Sequence, residues 1–167
     1  VLINRAGDPL LADFGLARRS TDGTLTATGT VLGTPGYMPP EQARGERADA
    51  RSDVYGLGAT LYACLTGQPP FRRASVLLTL AAVSEEAVVP PHERNPAVPA
   101  ELSALCVQAL AKDPSDRPVN ADELADALEG WLRRAATQGS AGRGWLPLLA
   151  LAAALLAAAA LVLRRPP

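Results

Sequence analysis

The sequence predicts a mainly α chain, in which a short β-hairpin leads into a helical bundle and a single transmembrane helix follows. Three observations carry this expectation. Apolar residues recur at helical spacing in four separate segments between residues 52 and 134. The only strand-like runs are short, VLI at residues 1–3 and LLA at 10–12, with the turn formers NRAGDP between them. Near the C-terminus, residues 146–163 carry no charge and are mostly Leu and Ala.

Composition narrows the classes. Sixteen basic residues against 17 acidic ones give a net charge of -1, which excludes the basic face of a nucleic-acid binder. The hydrophobic fraction of 48% is raised by the C-terminal run. Cys64 and Cys106 stand far apart in helical patterns with no CxxC, so neither a zinc site nor a disulfide framework is expected. His92 is the only histidine and falls in a Pro-rich stretch, where it reads as a solvated loop residue. No charged n-region and apolar h-region open the chain. It starts inside a strand-like run, which leads to the expectation of a fragment lacking its N-terminal part.

In order along the chain, Gly7 and Pro9 shape the turn of the hairpin, and the second strand delivers Asp13 to its end, beside Gly15. A carboxylate so placed suits a hard cation such as Mg²⁺. Residues 13–41 then lack regular periodicity and hold Ser20 and the threonines Thr21, Thr24, Thr26, Thr28, Thr30 and Thr34. A loop this long inside ordered sequence is usually a working one. Pro39 and Pro40 open a short helix. Ser52 and Asp53 read as the cap and first turn of a longer one, with Val54, Leu57, Leu61 and Leu65 at helical spacing and Gly56, Gly58 and Ala59 permitting close approach. Gly67 and Pro69-Pro70 end it. A third helix covers 74–84 with Val76, Leu77, Leu80 and Val83, and 85–100 is a surface connection. Residues 101–111 form another helix, with Leu102, Leu105, Cys106, Ala109 and Leu110 on one face. Asn120 and Glu123 form a capping-box pattern ahead of a helix that buries Leu124, Leu128, Trp131 and Leu132. Residues 135–144 are small and polar, a flexible linker. Residues 146–163 would extend ~27 Å as a helix, close to the ~30 Å hydrocarbon core. Trp145 and Arg164-Arg165 flank that run, as at a membrane interface.

Four motifs in order, DFGLARR, GTPGYMPPEQ, SDVYGLGATLYACLTGQPPF and KDPSDRP, resemble the C-terminal lobe of a protein kinase. The likeness is to the bacterial, eukaryotic-like serine/threonine kinases of the membrane-anchored type, and it covers residues 1–134. The organisation it implies is a kinase C-lobe fragment at 1–134, a juxtamembrane linker at 135–144, a transmembrane helix at 145–163 and a short tail at 164–167, with the lobe cytoplasmic.

The resemblance implies ATP and Mg²⁺ as cofactors, with Asp13 as the Mg²⁺ ligand and Leu2, Ala12 and Asp13 at the ATP pocket. Phe14 and Gly15 complete the motif whose packing reports the active state. Thr34, Gly36 and Tyr37 match the substrate-docking stretch of serine/threonine kinases. Glu41 matches a glutamate that pairs with Arg117, and Asp53 a helix-start aspartate that accepts hydrogen bonds from the catalytic loop. Pro39 departs from the usual alanine. Thr26, Thr28 and Thr30 are the candidate autophosphorylation sites, where phosphate would order the loop through arginine contacts. Ser20, Thr21 and Thr24 rank behind them. Implied partners are protein substrates, a second kinase copy for autophosphorylation and the membrane.

The glycine-rich loop, the strand lysine and the His-Arg-Asp loop are not among the 167 residues. The chain alone is therefore expected to be inactive, and the Val54 to Leu65 face is expected to stand uncovered. The competing expectation is a non-catalytic, membrane-tethered docking module. The intact DFG and GTPGY weigh against it.

Overall fold

The computed structural model describes the backbone of residues 2–3 and 9–10 and all of residues 34–137. The chain divides into two units, residues 18–120 on one side and residues 1–17 with 121–167 on the other.

In the second of these, β1 (Leu2–Ile3) and β2 (Pro9–Leu10) pair antiparallel, Leu2 opposite Leu10 and Ile3 opposite Pro9. The hairpin is the one expected, with its second strand starting at Pro9. The same unit holds α6 (Ala121–Thr137), whose buried residues Ala121, Leu124, Leu128, Trp131 and Ala135 fall on one stripe. Ala135 takes the place expected of Leu132, which is half-buried, and α6 runs on to Thr137. Among the described residues no helix is long and apolar enough to cross a membrane. The expected span, 145–163, lies outside the described residues.

The larger unit is built around α2 (Ala50–Thr66). Its start differs from the expected one: Asp49, not Ser52, is the cap. The Asp49 side chain accepts from the Arg51 N–H at 2.8 Å, and Ser52 Oγ accepts from the Asp49 N–H at 3.2 Å, a reciprocal box. Gly67 closes the helix at φ 77°, donating its N–H to the Ala63 carbonyl. Val54, Tyr55, Ala59 and Tyr62 are fully buried, and Leu61 and Leu65 are buried beside them. The face expected to stand uncovered is thus closed, because α5 (Ala100–Ala109), α4 (Pro91–Arg94) and a 3-10 turn at Pro35–Tyr37 pack against α2. Contact with α5 is close at Gly58, where a Cβ would lie 2.8 Å from that of Ala109. Gly56 faces open space, so of the two glycines only Gly58 serves the approach.

The stretch 85–100, expected as plain connection, contains α4. Tyr62 Oη donates to the Val89 carbonyl at 3.0 Å and Asn95 Nδ2 to the Leu65 carbonyl at 2.9 Å, tying both ends of the stretch to α2. His92 lies in α4 with Nδ1 2.8 Å from Ser103 Oγ, a held position rather than a free loop. The helix α3 (Val76–Glu85) is capped by Ser75 and buries Thr79, Ala82 and Val83 beside Phe71. Cys106 is buried, its thiol pushed up to about 12 by desolvation, and Cys64 is half-buried with its thiol also raised by desolvation. Both are poor nucleophiles.

Candidate functional site

The site assembles around a buried ion pair. Pro40 sits in the first turn of α1 (Pro40–Ala43), where its missing N–H costs nothing, and the next residue, Glu41, points its carboxylate inward. Seventy-six positions later, the 3-10 turn Pro114–Asp116 hands the chain to Arg117. The guanidinium meets Glu41 side by side, Nη1 to Oε1 and Nη2 to Oε2, both at 2.8 Å. Its remaining N–H groups go to carbonyls: Nε to Ala111 at 2.7 Å, Nη1 to Arg51 at 3.1 Å and Nη2 to Lys112 at 3.1 Å. Every donor of the fork is thereby used. Its face lies over the Tyr55 ring, 4.9 Å from the centroid.

Glu41 has a second partner that the sequence did not reveal. Ser52 Oγ donates to Oε1 at 2.6 Å while accepting from the Asp49 N–H, so one hydroxyl joins the cap of α2 to the ion pair. Burial alone would raise the Glu41 pKa. The hydrogen bonds from Arg117 and Ser52 outweigh it and hold the carboxyl below its ordinary 4.5. The spacing Asp49-x-x-Ser52 is the sequence signal for this box, one turn ahead of the expected cap.

Immediately N-terminal to the pair lies the turn Pro35–Tyr37, resting on α2 and α3. Thr34 precedes it in extended conformation and is exposed, its carbonyl accepting the Tyr37 N–H at 3.0 Å. Gly36 is buried against the loop between α2 and α3: a Cβ there would meet the Phe71 carbonyl oxygen at 2.5 Å. The structure therefore brings Thr34, Gly36, Tyr37, Glu41 and Arg117 into one unit. Asp53 sits exposed in the first turn of α2, its carboxyl raised by local desolvation and by Asp49, with no hydrogen-bond donor among the described residues.

The other expected residues lie elsewhere. Ala12, Asp13, Phe14, Gly15, Thr26, Thr28 and Thr30 are outside the described residues, and Leu2 is described only as backbone in β1. Among the described residues, no group of three His, Cys, Asp or Glu side chains could hold a metal ion.

Two further buried or half-buried groups lie near the pair. Tyr55 is fully buried, and its hydroxyl has no hydrogen-bond partner among the described residues. Burial pushes the phenol far up, so it stays neutral. Tyr55→Phe keeps the ring on Arg117 and removes an unsatisfied group, whose burial costs ~1–3 kcal/mol. Urea unfolding is expected to show the variant at least as stable as the parent, and a loss above ~1 kcal/mol would reveal a bonded hydroxyl. Lys112, the chain's only lysine, donates to the carbonyls of Ala82 and Val83 at the end of α3 and lies 4.0 Å from the Phe71 ring centroid. Desolvation brings its amine down to about 8, against an opposing pull from Glu86. Because no other lysine is present, NMR of isotope-labelled lysine should give one resonance titrating near 8. The unfolded amine holds its proton to a higher pH, so this group's contribution to stability should rise between about 8 and 10.5.

Residues 1–128 match the protein kinase domain family. The chain is 40% identical over 142 residues to a protein of Myxococcus xanthus named tyrosine-protein kinase MasK, covering 85% of this chain and 21% of the relative. To serine/threonine-protein kinase PknB of Mycolicibacterium smegmatis it is 44% identical over 126 residues, 74% of this chain and 20% of the relative. A probable serine/threonine-protein kinase of Corynebacterium efficiens is 40% identical over 146 residues, 84% of this chain and 22% of its own length. The chain thus spans about a fifth of the length of the curated relatives it matches. With its motifs in family order and the Glu41–Arg117 pair formed, the chain belongs to the protein kinase domain family, as part of a bacterial, eukaryotic-like kinase.

Proposed function

We propose that these residues are the C-terminal-lobe portion of a membrane-anchored serine/threonine kinase that moves the ATP γ-phosphoryl group to Ser and Thr hydroxyls of proteins. The observation that carries this reading is the Glu41–Arg117 fork, which fixes the C-terminal end of a threonine-rich segment to the helical floor directly beside Thr34, Gly36 and Tyr37. A loop that must be switched needs one immobile end, and this pair supplies it.

When bound, ATP and Mg²⁺ supply the transferable phosphoryl group and the neutralisation of its charge. Asp13 would hold the metal, and Leu2 and Ala12 would line the nucleotide pocket. Thr34, Gly36 and Tyr37 position the protein substrate. Phosphate on Thr26, Thr28 or Thr30 would order the segment. Asp53, its carboxyl raised by desolvation and by Asp49 and without a donor among the described residues, suits a carboxylate awaiting backbone N–H groups from a catalytic loop. That loop, with its base, is not among the 167 residues, so transfer is a property of the longer protein. Residues 145–163 would anchor the lobe on the cytoplasmic side of a membrane, and a second copy would phosphorylate the segment in trans.

The test has two arms. The chain alone, given ATP, Mg²⁺ and a generic protein substrate, is expected to show no transfer. The product of the coding region that includes the sequence before Val1 is expected to contain His-Arg-Asp and to phosphorylate the same substrate, with Asp13→Asn abolishing transfer. A coding region without that motif would leave only a docking role. Since one relative is named a tyrosine kinase, phosphoamino-acid analysis decides the acceptor; phosphotyrosine alone would overturn the assignment made from Thr34.

A further inference from the structure

We propose that Ser75 is a phosphorylation site, the acceptor for an arginine-directed serine kinase, and that phosphate there draws Arg73 away from Glu86.

The acceptor lies on a bridge between two anchors. Phe71 and Thr79 are buried, and every residue between them, 72–78, is exposed. Residues 72–75 form neither helix nor strand. Among the described residues only one of their N–H groups is bonded, that of Arg73 to Thr79 Oγ1 at 3.1 Å. Ser75 itself is extended, at φ -134° and ψ 161°. Exposed, extended backbone with unused N–H groups is the form in which a peptide enters an enzyme's cleft. The Ser75 hydroxyl accepts the Leu78 N–H at 3.2 Å and donates to no group among the described residues, so its proton is free to leave. Val76, Leu77 and Leu78 follow, all outward, with Leu77 72% exposed. Peeling that turn back to fit a cleft therefore uncovers no core.

Charge names the class of enzyme. Arg72 and Arg73 stand three and two positions before the hydroxyl, and no Asp or Glu occurs from residue 54 to residue 84. Arg72 has no ion pair among the described residues. A cleft lined with carboxylates would gain two charge-assisted contacts from this pair and would reject an acidic segment. In the transfer, Ser75 Oγ attacks the γ-phosphorus of ATP, the bond from that phosphorus to the bridging oxygen breaks, and ADP leaves. The hydroxyl proton passes to the modifying enzyme's base. The product places a dianion two residues from Arg73, whose present partner, Glu86, lies beyond the last residue of α3. Both members of that pair are exposed, so it holds weakly against a phosphate. Arg73 thus changes partner from one end of α3 to the other, and Glu86 is released.

The test treats the full chain with a purified arginine-directed serine kinase and ATP and maps the phosphorylated residues by mass spectrometry. Thr21 follows Arg18 and Arg19 at the same spacing, so the mapped position, not total incorporation, is the readout. Phosphate on Ser75 is expected, with Arg72→Gln slowing its modification about tenfold through loss of one charge-assisted contact. No phosphate on Ser75, or phosphate only after unfolding in urea, overturns the proposal. So does a rate unchanged in Arg72→Gln. In the phosphorylated chain the side-chain N–H resonance of Arg73, identified by its absence from Arg73→Gln, is expected to shift, and to stay in place in Ser75→Ala treated alike. An Arg73 resonance unmoved by phosphate on Ser75 overturns the change of partner.

Discussion

Arg117→Met is expected to be the most damaging single substitution at the described site, lowering stability by about 3–5 kcal/mol in urea unfolding followed by circular dichroism. Two effects add. Glu41 is left as a buried carboxylate with only Ser52 to donate to it, and the carbonyls of Ala111, Lys112 and Arg51 each lose a donor. Arg117→Lys should recover little, because an ammonium is a point charge that cannot span both carboxylate oxygens and three carbonyls in one plane. The double variant Glu41→Leu with Arg117→Met separates the two effects. It removes the stranded charge, and buried pairs replaced by apolar residues are often tolerated, yet the three carbonyls stay without the guanidinium donors they had. Partial recovery is expected. Full recovery would mean that the carbonyl contacts contribute nothing, and a loss below ~1 kcal/mol for Arg117→Met alone would mean that the pair itself does not.

The same pair sets an acid limit. The folded Glu41 carboxyl lies below its ordinary 4.5, so its contribution is complete above that pH and is lost as pH falls through the depressed folded value. Glu41→Gln should be less stable near neutrality and should lack this acid-side slope. A parent and variant whose stabilities fall in parallel below pH 4.5 would assign acid unfolding to other groups.

Sequence alone anticipated the elements whose signals are local. Gly67 stopping α2, the apolar stripe of α6 and the proline-opened α1 depend on neighbours within a turn or two, and all are present. The long-range pair Glu41–Arg117 was legible only through the family pattern, since nothing in composition links positions 76 residues apart. The details that failed were those decided by packing. Ser52 looked like a cap because Ser often is one, but its hydroxyl is committed to Glu41 and the cap falls to Asp49. The PHER turn of α4 is too short for periodicity to reveal and is held by Ser103 and by contacts to α2. Val76 and Leu77 fit a buried stripe by type, yet Thr79 and Ala82 took the inward positions beside Val83 because Phe71 and Arg73 face that side: the Arg73 N–H donates to Thr79 Oγ1.

Gly36→Ala is expected to cost about 1–3 kcal/mol, the second-largest effect, for a reason of space rather than of backbone freedom. A Cβ at Gly36 would stand 2.5 Å from the Phe71 carbonyl oxygen and 3.1 Å from Pro69 Cβ, and neither belongs to a flexible side-chain end. Relief requires the turn Pro35–Tyr37 to lift away from the loop between α2 and α3. That turn is anchored a few residues on by buried Glu41, so the shift falls on Thr34 and Tyr37 rather than on α1. Gly56→Ala is the control: nothing lies within 4 Å of its Cβ, and a helix-interior glycine replaced by alanine should gain up to ~1 kcal/mol. Opposite signs at the two glycines would show that close approach, and not glycine content, holds the turn in place. On the proposed assignment of Thr34, Gly36 and Tyr37 to substrate docking, Gly36→Ala in a longer protein that shows transfer should lower kcat/KM for the protein substrate while leaving KM for ATP unchanged. A matched fall in both would place the disturbance in the nucleotide site, and an unchanged stability would remove the close approach from the account of this turn.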